Sequence, residues 1–112
     1  MLIYKILRAA EWADLQNLGE TQGAPIDVTD GYIHFSTAEQ ARETAVKHFA
    51  GEENLMLLAY DTDQLGDAMK WEKSRNDQLF PHLYAPLRHD QALWAKPLPL
   101  GSDGHEFPEG FA

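Results

Sequence analysis

The chain contains no cysteine, which excludes disulfide bonds and thiolate chemistry. No apolar run approaches the roughly 18 residues that a membrane-spanning helix needs, so a membrane is not an expected partner. The apolar segment 1–7 lacks the leading basic region and the small-residue cleavage site of a signal peptide. The cytoplasm is therefore the expected location.

Basic residues are also scarce. The sequence has 9 Lys and Arg against 18 Asp and Glu, a formal net charge of −9. A surface of that sign repels phosphate backbones, so nucleic acid is not an expected partner, and the one basic cluster is Lys70, Lys73 and Arg75. The length of 112 residues suits one domain, which we assign to residues 1–100. Residues 101–112 are predicted to be a loosely ordered acidic tail.

Hydrophobic periodicity predicts two main helices, over residues 9–18 and 38–49. Five or six short strands are predicted, within residues 3–7, 31–37, 55–60, 69–73, 79–84 and 93–98. The unbroken apolar run 55–60 is typical of a central strand, whereas Pro81 favours an edge strand or a bulge. Residues 20–30 are predicted as a loop with a short extended piece at 26–28. This order predicts an α+β fold with a mixed, strand-rich sheet.

The segment Gly31–Thr37 carries the densest set of chemical groups. Alternation along a strand places Tyr32, His34 and Ser36 on one face, opposite the apolar side chains. Ser36 and Thr37 then stand at the start of a helix, beside its first unpaired N–H groups, where a polar or anionic ligand can bind. We predict His34 as a catalytic residue and Ser36 and Thr37 as ligand-binding residues. Two alternatives involve no ligand: Ser36 caps the following helix, and His34 is a half-buried structural histidine.

Two later segments supply the rest of the predicted site. Glu72 is a candidate acid, base or ribose-binding carboxylate. The alternative is a solvated ion pair between Glu72 and the nearby side chain of Lys70 or Arg75. His82 is a candidate catalytic residue between Phe80 and Tyr84, whose rings share its strand face and suit a planar ligand or the core. Arg75 lies in the loop between Glu72 and this strand. Its guanidinium is suited to a phosphate or a carboxylate.

Three readings of these residues remain open. The first is a small-molecule pocket, and the second is a non-catalytic protein-interaction module in which the histidines are structural. The third is a metal-dependent hydrolase, for which His34, His82, His89, Glu72 and Asp27 offer ligands. Because no two of them have the local spacing of a known metal motif, no metal site is predicted. The oligomeric state is left open by the sequence.

Several of these motifs, in the same order, resemble a bacterial family, the domain of unknown function 952. They are Asp30–Thr37, the apolar run Leu55–Leu58, Lys70-Trp71-Glu72 and Phe80-Pro81-His82-Leu83-Tyr84, and the resemblance covers residues 3 to about 98. The family is grouped by fold similarity with the ADP-ribosyltransferase superfamily. The resemblance therefore implies an ADP-ribosyltransferase-like fold and NAD or an ADP-ribose derivative as the ligand.

The same resemblance implies roles for individual residues. His34 would hold the ribose, Tyr84 or Phe80 would stack on the planar group, and Glu72 or His82 would take the late polar role. The catalytic glutamate motif of the toxin-like members is not evident in this sequence. The leading hypothesis is a pocket that binds a nucleotide-like or phosphorylated small molecule, with transfer or hydrolysis at a ribose as the reaction if the protein is an enzyme.

Overall fold

Helices and short strands alternate in the first half of the chain, and strands dominate the second half. The computed structural model describes residues 1–109 and 111, apart from the side chain of Arg75. The elements are β1 (Leu2–Leu7), α1 (Ala9–Leu18), β2 (Glu20–Thr21), α2 (Pro25–Asp30), β3 (Ile33–His34), α3 (Ala38–His48), β4 (Leu55–Asp61), α4 (Thr62–Leu65), β5 (Met69–Lys73), β6 (Leu79–Leu83), β7 (Leu87–Arg88), β8 (Trp94–Leu98), β9 (Leu100–Gly101) and β10 (Gly104–His105). No helix in the described part of the chain is both long and apolar enough to cross a membrane.

A three-stranded sheet with the order β1-β4-β8 forms the centre of the molecule. Its middle strand β4 is buried on both faces, with Leu57, Leu58, Ala59 and Tyr60 all at 0% exposure. The prediction of a central strand over residues 55–60 is confirmed. Helix α3 covers one face of this sheet, and its small residues pack against side chains of β1 and β4.

A second three-stranded sheet has the order β3-β6-β5 and meets the first sheet just after His34. There the chain leaves β6 and pairs with β1, through hydrogen bonds of 2.8 and 2.9 Å between the backbones of Tyr4 and Ser36. The predicted α+β class is confirmed, but the prediction of mixed pairing is wrong. Every strand pairing among the described residues is antiparallel.

Pro81 lies in β6, the middle strand of the second sheet, so the prediction of an edge strand or a bulge is wrong. The Phe35 N–H donates to the Pro81 carbonyl (3.0 Å), and an ordinary residue at position 81 would return a second bond to Phe35. Proline has no N–H to donate. The ladder between β3 and β6 therefore ends at His34, which frees the following residues to pair with β1.

Helix α3 begins with a capping box formed by Thr37 and Gln40. The Thr37 hydroxyl accepts the Gln40 N–H (3.3 Å), and the Gln40 side chain accepts the Thr37 N–H (3.1 Å). The Ser36 hydroxyl is instead hydrogen bonded to that of Thr44 (3.1 Å). The bounds predicted for α1 are also confirmed, and this helix ends at Gly19 with a φ of +81°.

The predictions of a loop over residues 20–30 and of an extended piece at 26–28 are wrong, because residues 25–30 form helix α2. Pro25 suits the first helical position, since a helix leaves that N–H without a partner. The carboxylate of Asp27 accepts the Ala24 N–H at the helix start (2.7 Å), and Gly31 ends the helix with a φ of +85°. Six residues are too few for a periodic pattern to appear in the sequence.

The β9–β10 hairpin begins at Leu100 and occupies the start of the segment for which the sequence predicts a loosely ordered tail. Beyond it, the ring of Phe111 lies 4.7 Å from that of Tyr4. The Arg42 guanidinium lies over the rings of Phe107 and Phe111. These described residues therefore pack on β1 and α3.

Candidate functional site

A cleft of about 650 Å³ opens beside the junction of the two sheets. It is bordered by β1, α2, β3, α3 and β6. Four of the predicted site residues line it: His34, Ser36, Phe80 and His82. The cleft is large enough for a small organic ligand.

The two histidines of the cleft are direct neighbours across the second sheet. His34 on β3 is paired in register with His82 on β6, and their ring centroids are 5.4 Å apart. Tyr32 lies against both, stacked on His82 with a centroid distance of 4.2 Å and 4.6 Å from His34. The strand alternation that put Tyr32 and His34 on one face is confirmed.

His82 is buried, with 2% exposure, and is held from behind by Glu72 on the neighbouring strand β5. Its Nδ1 lies 2.8 Å from Oε1 of Glu72, and the Tyr84 hydroxyl donates to the same oxygen (2.7 Å). The hydrogen bonds from Tyr84 and His82 lower the pKa of Glu72, while its carboxylate raises the pKa of Tyr84 to about 12. Glu72 is therefore an acceptor at neutral pH.

A carboxylate acceptor fixes the tautomer of the ring it contacts. In neutral His82 the proton stays on Nδ1, and Nε2 carries the lone pair. Nε2 makes no hydrogen bond to any residue that the structure describes. The result is a buried imidazole on the wall of the cleft with one ring nitrogen unpartnered.

His34 differs, because both of its ring nitrogens contact carboxylates. Nδ1 lies 2.6 Å from Oδ1 of Asp27, and Nε2 lies 3.0 Å from Oδ2 of Asp30. The doubly protonated ring is the form that can donate to both. His34 is therefore clamped between the middle and the end of helix α2.

Asp27 is the centre of this network and is 1% exposed. Its carboxylate accepts from the ring and the backbone N–H of His34, from the Ala24 N–H and from the Lys5 ammonium (2.8 Å). Burial favours a higher pKa for Asp27, but the hydrogen bonds from His34 and the charge of Lys5 outweigh it and lower the pKa. Lys5 also donates to the His34 carbonyl (2.9 Å), so one ion pair joins β1, α2 and β3.

The other predicted residues lie around this arrangement rather than within it. Glu72 and Tyr84 stand behind His82 and do not border the cleft, and Thr37 caps helix α3. The side chain of Arg75 lies outside the described part of the chain. Among the described residues, no three His, Cys, Asp or Glu side chains are grouped so as to hold a metal ion.

Four residues of the site did not emerge from the sequence as binding residues: Lys5, Asp27, Asp30 and Tyr32. The sequence indicates Asp27 only as a candidate metal ligand and Tyr32 only as a neighbour of His34 on its strand face. A lysine within the otherwise apolar strand 2–7 was the available signal, because a fully buried lysine needs a partner. The sequence alone does not show which of 18 acidic residues provides it.

Residues 6–95 match the family described as Protein of unknown function (DUF952). The chain belongs to the DUF952 family. The family predicted from the sequence motifs is therefore confirmed. No curated protein matches this DUF952 chain.

Solved structures of the protein CC0527 from Caulobacter crescentus share the fold of this DUF952 chain. A crystal structure is 47% identical with a TM-score of 0.89, covering 94% of this chain and 92% of CC0527. A solution NMR structure is 47% identical with a TM-score of 0.83, covering 93% and 90%. These matches establish a single α+β domain with antiparallel strands and few helices.

Proposed function

We propose that the cleft binds a nucleotide-like small molecule and that His82 is the acid–base group acting at its ribose. The observation that supports this most directly is that Nε2 of His82, a buried histidine on the cleft wall, makes no hydrogen bond to any residue in the described part of the chain. A buried polar atom without a hydrogen bond costs about 1–3 kcal/mol. Such an atom calls for an explanation, and a ligand that completes the hydrogen bond supplies one.

The surroundings of His82 suit proton transfer. A ligand hydroxyl or a water molecule donates to Nε2 and transfers its proton there, while Glu72 stabilises the resulting imidazolium through Nδ1. Tyr84 holds the Glu72 carboxylate in place, and Glu72 is therefore a positioning residue. The aromatic ring of Phe80 also lines the cleft and offers a contact for a planar group.

The reaction class that fits these residues is transfer or hydrolysis at a ribose carbon, of which ADP-ribosyl transfer is one case. The resemblance of the sequence to a family grouped with ADP-ribosyltransferases supports this choice. Fold similarity does not assign a reaction, so the proposal is based mainly on His82 and its hydrogen bonds.

Binding is tested by following the histidine and tyrosine side chains by NMR during titration with NAD, ADP-ribose and ribose 5-phosphate. We expect shifts concentrated at His34, Tyr32 and His82. His82→Asn should abolish them, whereas His89→Asn, an exposed residue outside the cleft, should not. Absence of shifts at these residues at millimolar ligand would refute the proposal. A lower melting temperature for His82→Asn with unchanged ligand affinity would indicate a structural histidine.

Glu72→Gln tests the positioning role. A glutamine presents either an oxygen or an NH₂ group to Nδ1, so it no longer requires the proton to stay there. We expect ligand affinity to fall about tenfold with the fold intact, because His82 loses its fixed tautomer and its charged hydrogen bond.

The direct readout for Glu72→Gln is the pair of ring ¹⁵N resonances of His82, which report which nitrogen carries the proton. The exposed Glu53→Gln serves as the control with the same chemical change. Unchanged ring resonances in Glu72→Gln would contradict the assigned role.

A further inference from the structure

The end of the cleft near the two histidines offers hydrogen bond acceptors. Oδ2 of Asp30 accepts from Nε2 of His34, while Oδ1 makes no hydrogen bond to any described residue. The Asp30 side chain is 39% exposed and borders the cleft. The second acceptor is the lone pair on Nε2 of His82.

The cationic donors near this end are already engaged with protein groups, and Tyr32 adds a hydroxyl that can either donate or accept. Both ring nitrogens of His34 contact carboxylates, and the Lys5 ammonium contacts Asp27 and the His34 carbonyl. A ligand group that contacts Asp30 or the neutral His82 ring therefore meets an acceptor and must itself be a donor. Asp30 and Glu72 also disfavour an anionic group in their vicinity.

Asp30 and His82 border the same end of the cleft, because Asp30 is bonded to His34 and the two imidazole centroids are 5.4 Å apart. We infer that this acceptor pair binds two adjacent hydroxyl groups of a sugar ring, and that Asp30 determines specificity for such a diol. The inference rests on the proposed function and deepens it. Asp30 accepts the 2-hydroxyl at Oδ1, His82 accepts an adjacent hydroxyl, and the phosphate of the ligand lies away from this end.

The inference departs from the role that family resemblance implies for His34. With both ring nitrogens bonded to aspartates, His34 has none to offer to a ribose. Its structural contribution is to orient the Asp30 carboxylate. Ribose recognition then belongs to Asp30 and His82.

The test compares ribose 5-phosphate with 2-deoxyribose 5-phosphate, and AMP with 2′-deoxy-AMP, by calorimetry and NMR. Loss of the 2-hydroxyl removes every adjacent pair of hydroxyls from the ring. We expect the wild type to bind the ribose compounds about tenfold more tightly than the deoxy compounds. In Asp30→Asn this preference should disappear, through weaker binding of the ribose compounds alone, and the exposed Asp67→Asn should retain it.

Each result is decisive. Equal affinities for both members of each pair in the wild type would overturn the inference while leaving the proposed function standing. Equal weakening of both members in Asp30→Asn would do the same, because it would show a general effect on the site. Asp30→Ala repeats the test without an amide that could disturb His34. If no compound binds the wild type, the proposed function fails and the inference fails with it.

Discussion

Replacing Gly23 by alanine should lower the free energy of unfolding by about 4 kcal/mol, the sum of backbone strain and a displaced buried carboxylate. Gly23 has a φ of +86°, which costs an L-residue about 1–2 kcal/mol. A Cβ there would also meet the carboxylate of Asp27, with Cγ at 2.9 Å, and the Cδ1 of Ile33 at 2.8 Å. Asp27 is buried and cannot move aside without losing its hydrogen bonds.

Gly31→Ala is the matched control. Gly31 has nearly the same φ, +85°, but an added Cβ there meets nothing within 4 Å. It should therefore lose only the backbone term, about 1–2 kcal/mol. Urea unfolding of both variants separates the two contributions. Equal losses would mean that contact with Asp27 has no measurable cost and that strain alone explains both positions.

Gly23→Ala should also disturb the site, which distinguishes it from a purely structural lesion. Displacement of the Asp27 carboxylate releases Nδ1 of His34, and the ring resonances of His34 should change. Gly31→Ala should leave those resonances as they are. A glycine outside the cleft thus controls the geometry of a histidine within it.

The strand faces of His34 and His82 follow from the sequence, whereas their meeting does not. Each lies on a short strand with a clear alternation, and both faces were assigned correctly. The sequence could not show that the two strands are neighbours, because 48 positions separate the residues. Pairing between distant strands depends on the whole fold, whereas alternation is a local property.

The hydrogen bonds and the ion pair around Asp27 could not be predicted from the sequence. Helix α2 has six residues, too few for a periodic signal, and its turn-forming residues at both ends favoured a loop prediction. Lys5 lies in a strand whose other residues are apolar or aromatic. The burial of Lys5 could therefore be predicted from the sequence, but the identity of its acidic partner could not. Pro81 favoured an edge strand because proline removes one hydrogen bond donor from a sheet. In the structure the missing N–H faces Phe35, just beyond the end of β3, so the pairing of β3 with β6 loses no bond before His34.

The Lys5–Asp27 ion pair gives the second large effect. Asp27→Asn should lower the free energy of unfolding by about 4 kcal/mol, within the range for breaking a buried pair. Asparagine has one acceptor oxygen where the carboxylate accepts from four donors, so at least two buried donors lose their bonds. Lys5→Met, which preserves most of the side-chain volume, should cost about 3 kcal/mol because Asp27 loses its charged partner.

The double variant Lys5→Met with Asp27→Asn separates the pair from its neighbours. We expect its loss to be smaller than the sum of the two single losses, because neither charge is then left alone in the interior. Urea unfolding at pH 7 gives all three values. Additive losses would contradict coupling between Lys5 and Asp27.

The two pKa directions explain the balance within this pair. Burial opposes charge on both groups, and for Asp27 the donors outweigh it, so the folded pKa is below the unfolded value near 3.9. For Lys5 burial dominates, so its folded pKa is lowered and the buried ammonium costs stability at neutral pH. Stability contributed by Asp27 is complete above about pH 4 and is lost as the pH falls through its folded pKa.

In Lys5→Met, the free energy of unfolding should therefore decrease less steeply as the pH falls into the acid range. Removing the ammonium takes away both the charge and the hydrogen bond by which Lys5 lowers the Asp27 pKa, so the gap between its folded and unfolded values narrows. The difference in stability between wild type and Lys5→Met should shrink as the pH falls from neutral through the unfolded Asp pKa near 3.9 and on through the lower folded pKa of Asp27. Urea unfolding across this range measures it. A difference that stays constant with pH would show that Asp27 titrates independently of Lys5, and that the ion pair does not hold the carboxylate that clamps His34.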